Sequence, residues 1–160
     1  MIKSALLSED KIYRYSLSRI WNDSKPYALF IGLNPSTADE KEDDPTIRRC
    51  ITYAQSWGYG GLMMVNLFAY RATLPSDLKK AEEPIGVNND ANIKNLSDNA
   101  GIIVVAWGNN GHYLDRDKDV LNIIKKPMCL KINKSGQPGH PLYQRKNIQP
   151  ISYKLTLTDI

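Results

Sequence analysis

Histidine and cysteine are scarce in this 160-residue chain, with two of each, and neither pair has the spacing that a zinc site needs. Cys50 falls on the apolar face of a predicted helix and Cys129 in a predicted strand, so both read as buried free thiols in a reducing compartment. Long apolar runs are missing as well: the longest, such as residues 102–107, are far too short to cross a bilayer. The opening MIKSALLSED holds neither a sustained apolar region nor a small-residue cleavage site, so it reads as mature sequence with a cytoplasmic address and no membrane partner. The dinucleotide pattern G-x-G-x-x-G, the P-loop and the nucleophile elbow are all absent. So is a dense basic stripe: the formal charge of +4 permits an anionic partner without demanding one.

What is present is an ordinary globular composition, 42% hydrophobic and 24% charged. The length suits one domain, expected over residues 1–153, with a frayed tail at residues 154–160. The chain is organised around residues 27–46, YALFIGLNPSTADEKEDDPT, where an apolar run ends at Gly32 and gives way to Asn34-Pro35-Ser36-Thr37 and an acidic loop. Asp44-Pro45 then opens a helix, the first as its cap and the second at a position whose missing N–H costs nothing, with Ile47, Cys50, Ile51 and Ala54 at helical spacing. This is a buried strand feeding a loop and a helix. Ligands collect at the carboxyl ends of such strands because loop side chains and helix N-termini converge there.

Further apolar runs predict strands over residues 62–68, 101–107 and 127–132. Residues 11–21 alternate with period two, Tyr13, Tyr15, Leu17, Arg19 and Trp21 against Arg14, Ser16, Ser18 and Ile20, and predict a strand or an edge ribbon before the core sheet. Residues 69–87, with Pro75 and Pro84, read as a long connection holding at most a short helix from Ser76. A modest helix is expected from Asn88 or Asn89, and another over residues 109–126 with Leu114, Val120, Leu121 and Ile124 turned inward. Residues 133–153 read as a loop region. Strands and helices alternating at this spacing predict an α/β three-layer sandwich with a mostly parallel central sheet.

Four polar clusters end the four apolar runs: Asn34-Pro35-Ser36-Thr37, Asn66 with Arg71, Trp107-Gly108 and Gly139-His140-Pro141. In a parallel sheet all four would line one cleft. Bland alternatives stand beside this reading. Asn34-Pro35 can be a plain turn, Asn66 can close a backbone gap, Asp43, Asp44 and Thr46 can serve the helix N-terminus, and His140 can hold its own loop. Arg71 fits a phosphate or carboxylate contact as well as a surface pair.

The segments RYSLSRIW, FIGLNPSTADEKEDDPTIRRC, MMVNLFAYRATLP and GHPLY resemble the proteins of domain-of-unknown-function family 1643 over nearly the whole chain. At greater distance, the order of Gly32-Leu33-Asn34-Pro35, Asn66, Val104-Val105-Ala106-Trp107-Gly108 and His140-Pro141 is similar to the uracil-DNA glycosylase superfamily. That resemblance implies a uracil-DNA-glycosylase-like fold and a nucleobase site. In it, Asn34 orients water, Asn66 pairs with a base edge through its amide, His140 donates to a developing oxyanion, and Phe68 or Tyr70 stacks on the base. An amide cannot act as a general base, so a carboxylate would come from Asp39, Glu40, Asp43 or Asp44. The late loop continues as Leu142-Tyr143, without the Ser that follows His-Pro in the glycosylases.

The expected function is recognition of a nucleobase or nucleotide in this cleft, with hydrolysis of an N-glycosidic bond as its enzymatic form. Asn34, Asp43, Asp44 and His140 are the candidate catalytic residues. Pro35, Ser36, Thr37, Asn66, Phe68, Arg71, Trp107, Gly108 and Tyr143 are the candidate ligand contacts. Nucleic acid or a nucleotide-derived small molecule is the expected partner, and neither metal nor organic cofactor is indicated. A non-catalytic binder of a nucleotide-derived small molecule or of a protein partner is the rival, and the direction of the acids at residues 39–44 separates the two.

Overall fold

The computed structural model describes residues 1–153, so the expected tail lies outside the described residues. Its centre is β3 (Tyr27–Gly32), a strand whose Ala28 to Ile31 are all fully buried. Parallel neighbours flank it on both sides: β4 (Gly61–Asn66) pairs Gly32 with Asn66, and β5 (Ile102–Val105) pairs Ile31 with Val105. Period-two alternation sends Ala28 and Phe30 to one face and Leu29 and Ile31 to the other, and each pair sits in a separate apolar cluster. Both faces are therefore covered, which is why these strands read as unbroken apolar runs.

Helix α1 (Pro45–Ser56) covers the first face. Asp44 caps it by accepting from the Ile47 amide at 2.8 Å, a bond of about 1 kcal/mol by the usual scale of such caps. Ile47, Cys50, Tyr53 and Ala54 then bury against Phe30, Leu62, Met64 and Val104. Phe30, Tyr53 and Trp57 stack with centroids 5.5–6.4 Å apart. On the other face, α3 (Asn89–Asp98) and α4 (Arg116–Leu121) deliver Ile93 and Val120 to Leu29, Ile31, Val65 and Val105. Between α1 and α3 in sequence, α2 (Pro75–Lys80) is a single short helix in the long connection.

Among the described residues the sheet has seven strands, in the order β1-β2-β4-β3-β5-β6-β7. It is mixed rather than mostly parallel. The three pairings around β3 and β5 are parallel, while β1 (Ile2–Leu7), β2 (Arg14–Ile20) and β7 (Ile151–Ser152) join antiparallel. The expected strand at residues 127–132 is reduced to β6 (Met128–Cys129). Residues 109–126 do not form one helix. A 3₁₀ segment (Asn109–Asp115) breaks at Tyr113 and at Leu114, which has φ +55°, before α4 begins. Leu114, expected inward, is consequently 54% exposed.

Candidate functional site

The strand order reverses between β3 and β5: the chain leaves β3 toward β4 on one side and leaves β5 toward β6 on the other. Their two exit loops diverge there and leave a crevice, the usual place for a ligand in an open α/β sheet. A cleft of about 410 Å³ occupies it, within the range of small-molecule sites.

Asn34, Pro35 and Ser36 line this cleft from the end of β3, Asn66 from the end of β4, Trp107 and Gly108 from the end of β5, and His140 and Tyr143 from the late loop. A Gly108–Pro138 backbone bond of 3.0 Å and a Gly139–Lys131 bond of 2.8 Å draw that late loop in. Gly108 has φ +76°, a conformation that side chains rarely adopt, and it faces the His140 Cβ. Thus residues more than a hundred positions apart share one cavity.

Other candidates lie elsewhere. Phe68 is fully buried in the core against Tyr113, with centroids 5.5 Å apart, so it presents no face to the cleft. Thr37 and Arg71 line a shallow neighbouring depression, where Arg71 donates to the Lys11 carbonyl at 3.3 Å. Asp43 turns away to accept from Arg19 Nε at 2.8 Å. Asp39 is spent on the Lys41 and Glu42 amides at 2.8 Å each, which hold its carboxyl below its ordinary range. Of the acidic loop only Asp44 reaches the cleft, and one of its oxygens is committed to the Ile47 amide.

The floor of the cleft is built by residues the sequence did not single out. Residues Leu6 and Leu7 of β1 pair with Ser16 and Arg14 of β2, so Tyr15 is an extra residue, a β-bulge. Bulges re-aim side chains. This one moves Arg14 from the Ser16 and Ser18 face onto the face of Leu17, where it is 2% exposed and lines the cleft. Its Nη1 donates to the Ala38 carbonyl at 3.0 Å and its Nη2 to Asn66 Oδ1 at 3.3 Å, while its enclosed Nε has no partner among the described residues. Among the described residues it forms no ion pair. Burial pushes the guanidinium down to about 10, with Asp44 opposing the shift, so the group stays charged at neutral pH.

Arginine only donates, so the Asn66 atom facing it is the carbonyl oxygen and Nδ2 is left for the cleft. The two-sided base pairing expected of Asn66 is thereby reduced to donation. Gly32 is its close neighbour: a Cβ there would lie 2.8 Å from Asn66 Nδ2. Behind the site, buried Asn89 donates to the Asn66 and Leu67 carbonyls at 2.9 and 3.0 Å, and Arg116 Nε to Leu67 at 3.0 Å. These bonds satisfy carbonyls that the end of β4 would otherwise leave unpaired.

His140 Nδ1 accepts from the Leu142 amide at 3.2 Å, so the neutral ring carries its proton on Nε2. Burial pushes its pKa down, against the opposing pull of Asp44. Asn34 donates Nδ2 to the Ala72 carbonyl at 2.7 Å and to the Pro35 carbonyl at 3.1 Å, tying the first loop to the chain beyond β4. Its Oδ1 accepts no bond among the described residues. Trp107 is core: its Nε1 donates to Gln137 at 2.8 Å, and Gln137 to Asp117 at 3.0 Å. Among the described residues, no group of three or more His, Cys, Asp or Glu is arranged to hold a metal ion, and no helix is long and apolar enough to cross a membrane.

The family model described as Protein of unknown function (DUF1643) matches residues 14–142. The chain belongs to this family. The DUF1643 match opens at Arg14 and closes at Leu142, and so takes in every cleft-lining residue except Tyr143. No curated protein and no solved structure matches the chain. None of these comparisons supports the resemblance to the uracil-DNA glycosylase superfamily.

Proposed function

We propose that this DUF1643 protein uses the cleft at the ends of β3, β4 and β5 to bind a nucleobase or nucleotide. The observation that carries this reading is the convergence of Asn34, Asn66, Gly108 and His140 on one cavity of about 410 Å³. Asn66 Nδ2 and His140 Nε2 supply donors for the acceptor atoms of a flat heterocycle, and the order of these residues along the chain supports kinship with the uracil-DNA-glycosylase-like fold. Two free, buried cysteines support a cytoplasmic setting.

Binding is favoured over hydrolysis. Asp43 belongs to Arg19, Asp39 to its own turn, and Asp44 has given one oxygen to the helix cap. N-glycosidic hydrolysis is the second reading, because the other Asp44 oxygen and Asn34 Oδ1 are both uncommitted among the described residues and could hold a water. A general base at that place contributes about 10²–10⁴ in rate.

Calorimetric titration with free bases, nucleosides and nucleotides tests the binding reading, with Asn66→Ala weakening whichever ligand binds by about tenfold, the value of one lost hydrogen bond. No binding by any member of the panel contradicts it. Modified-base oligonucleotides test the second reading: base release that Asp44→Asn abolishes upholds it, and no release refutes it. Duplex DNA as ligand would reveal itself by affinity falling steeply with salt.

A further inference from the structure

The mixed sheet carries one group that neither the fold nor the donors to a base explain. Arg14 sits at the floor of the cleft, 2% exposed, with two of its five N–H groups bonded and no carboxylate within ion-pair reach among the described residues. An enclosed cation with no carboxylate in direct contact is costly for a fold to hold. The bulge at Tyr15 exists where a regular strand would have turned this side chain to the other face. Both of its acceptors are neutral, the Ala38 carbonyl and the Asn66 amide oxygen. Asp44 also lines the cleft, but it holds the helix cap instead of the guanidinium.

We propose that the cleft receives an anionic oxygen group of its ligand, a phosphate or a carboxylate, against the Arg14 guanidinium. The inference rests on the nucleotide reading and narrows it: the ligand is a nucleotide or an acidic base, not a neutral nucleoside. Asn66 Nδ2, fixed by the bond from Arg14 to Oδ1, donates to the same ligand. The neutral acceptors allow the charge of Arg14 to be answered from outside, and a flat guanidinium suits the two oxygens of either anion.

The test is calorimetric titration of the full chain with a nucleoside 5′-monophosphate, the matching nucleoside, inorganic phosphate and a pyrimidine carboxylate. Wild type, Arg14→Met, Arg14→Lys and the remote surface variant Lys94→Met are compared, with the melting temperature of each free protein measured alongside. The anionic ligands are expected to bind wild type and Lys94→Met alike. Arg14→Met should weaken them by about 30-fold or more, the usual loss when one partner of a buried charge contact goes. Arg14→Lys should restore part of the affinity. Free Arg14→Met is expected to melt no lower than wild type, a result a purely structural arginine would not give.

Stronger binding by the monophosphate than by the carboxylate assigns the group as phosphate, and the reverse assigns it as carboxylate. Nucleoside binding equal to the monophosphate overturns this proposal and leaves the nucleobase reading standing. Arg14-dependent binding of inorganic phosphate without any nucleotide binding upholds the anion site and overturns the nucleotide reading. Binding of the anions unchanged in Arg14→Met, or no binding of any anion, overturns the proposal outright.

Discussion

Arg14 and Arg19 stand at the two ends of the same strand, both buried, with opposite surroundings. Arg19 is fully buried and fully answered: its Nε meets Asp43 at 2.8 Å, and Nη1 and Nη2 donate to the carbonyls of Ser18, Asp39 and Glu42 at 2.9, 2.5 and 3.2 Å. It closes the acidic loop into a rigid lead-in to α1. Arg14 has neutral acceptors, no ion pair among the described residues and a cavity beside it. The contrast separates a charge that holds the fold from one that the fold holds for something else. Buried ion pairs are neutral or costly relative to apolar packing, yet removing one partner is severe.

The comparison is sharpest in stability. Arg19→Met should lower unfolding stability by about 3 kcal/mol in urea titration, because Asp43 and several loop carbonyls lose their donor together. A loss below about 1 kcal/mol would mean that the loop carries itself. Asn89→Ala comes next, at about 2 kcal/mol, since the Asn66 and Leu67 carbonyls stay buried without their donor. If stability is unchanged, the polar brace behind β4 is dispensable. Arg14→Met should be neutral or stabilising by about 1 kcal/mol, the opposite sign to Arg19→Met. A loss matching that of Arg19→Met would erase the distinction.

The smallest effect concerns pH. Burial lowers the His140 pKa in the folded state, so the unfolded chain takes up the proton first as pH falls through 6.5. Stability should therefore fall as the solution is acidified from the ordinary histidine value down to the depressed one, and Leu142 should lose its acceptor in the same step. His140→Gln should flatten this part of the pH–stability curve. A slope unchanged by the substitution would show that another group sets it.

The parts of the fold legible in the sequence are those where one physical signal dominates. The runs that became β3, β4 and β5 are buried on both faces and so lack polar alternation, and Asp44-Pro45 marks the start of α1 without ambiguity. β1 escaped because an exposed edge strand has no apolar face to betray it, and its burial is slight throughout. The helix expected over residues 109–126 failed at Leu114, where a left-handed residue broke a pattern that spacing alone could not distinguish from a continuous one.

At the site, strand ends were readable and their supports were not. Asn34, Asn66, Trp107-Gly108 and His140 each follow an apolar run, which marks them. Phe68 misled because it lies just past such an end yet continues into the core. Arg14 was hidden by the bulge: strict alternation grouped it with Ser16 and Ser18, and a single inserted residue reversed its side. Asn89, Arg116 and Asp117 are buried on helices, where polar side chains give no apolar signal to mark them as interior.

The most direct measurement of the central claim is a titration of ¹⁵N-labelled protein with nucleoside 5′-monophosphates, followed residue by residue. Saturable shifts are expected at the amides of Gly32, Asn34, Ser36, Asn66, Gly108 and His140, with those of the remote α3 end, Ser97 to Gly101, unmoved. A saturated titration whose shifts gather at that remote end, or none at all at millimolar ligand, would contradict a nucleotide site at the strand ends.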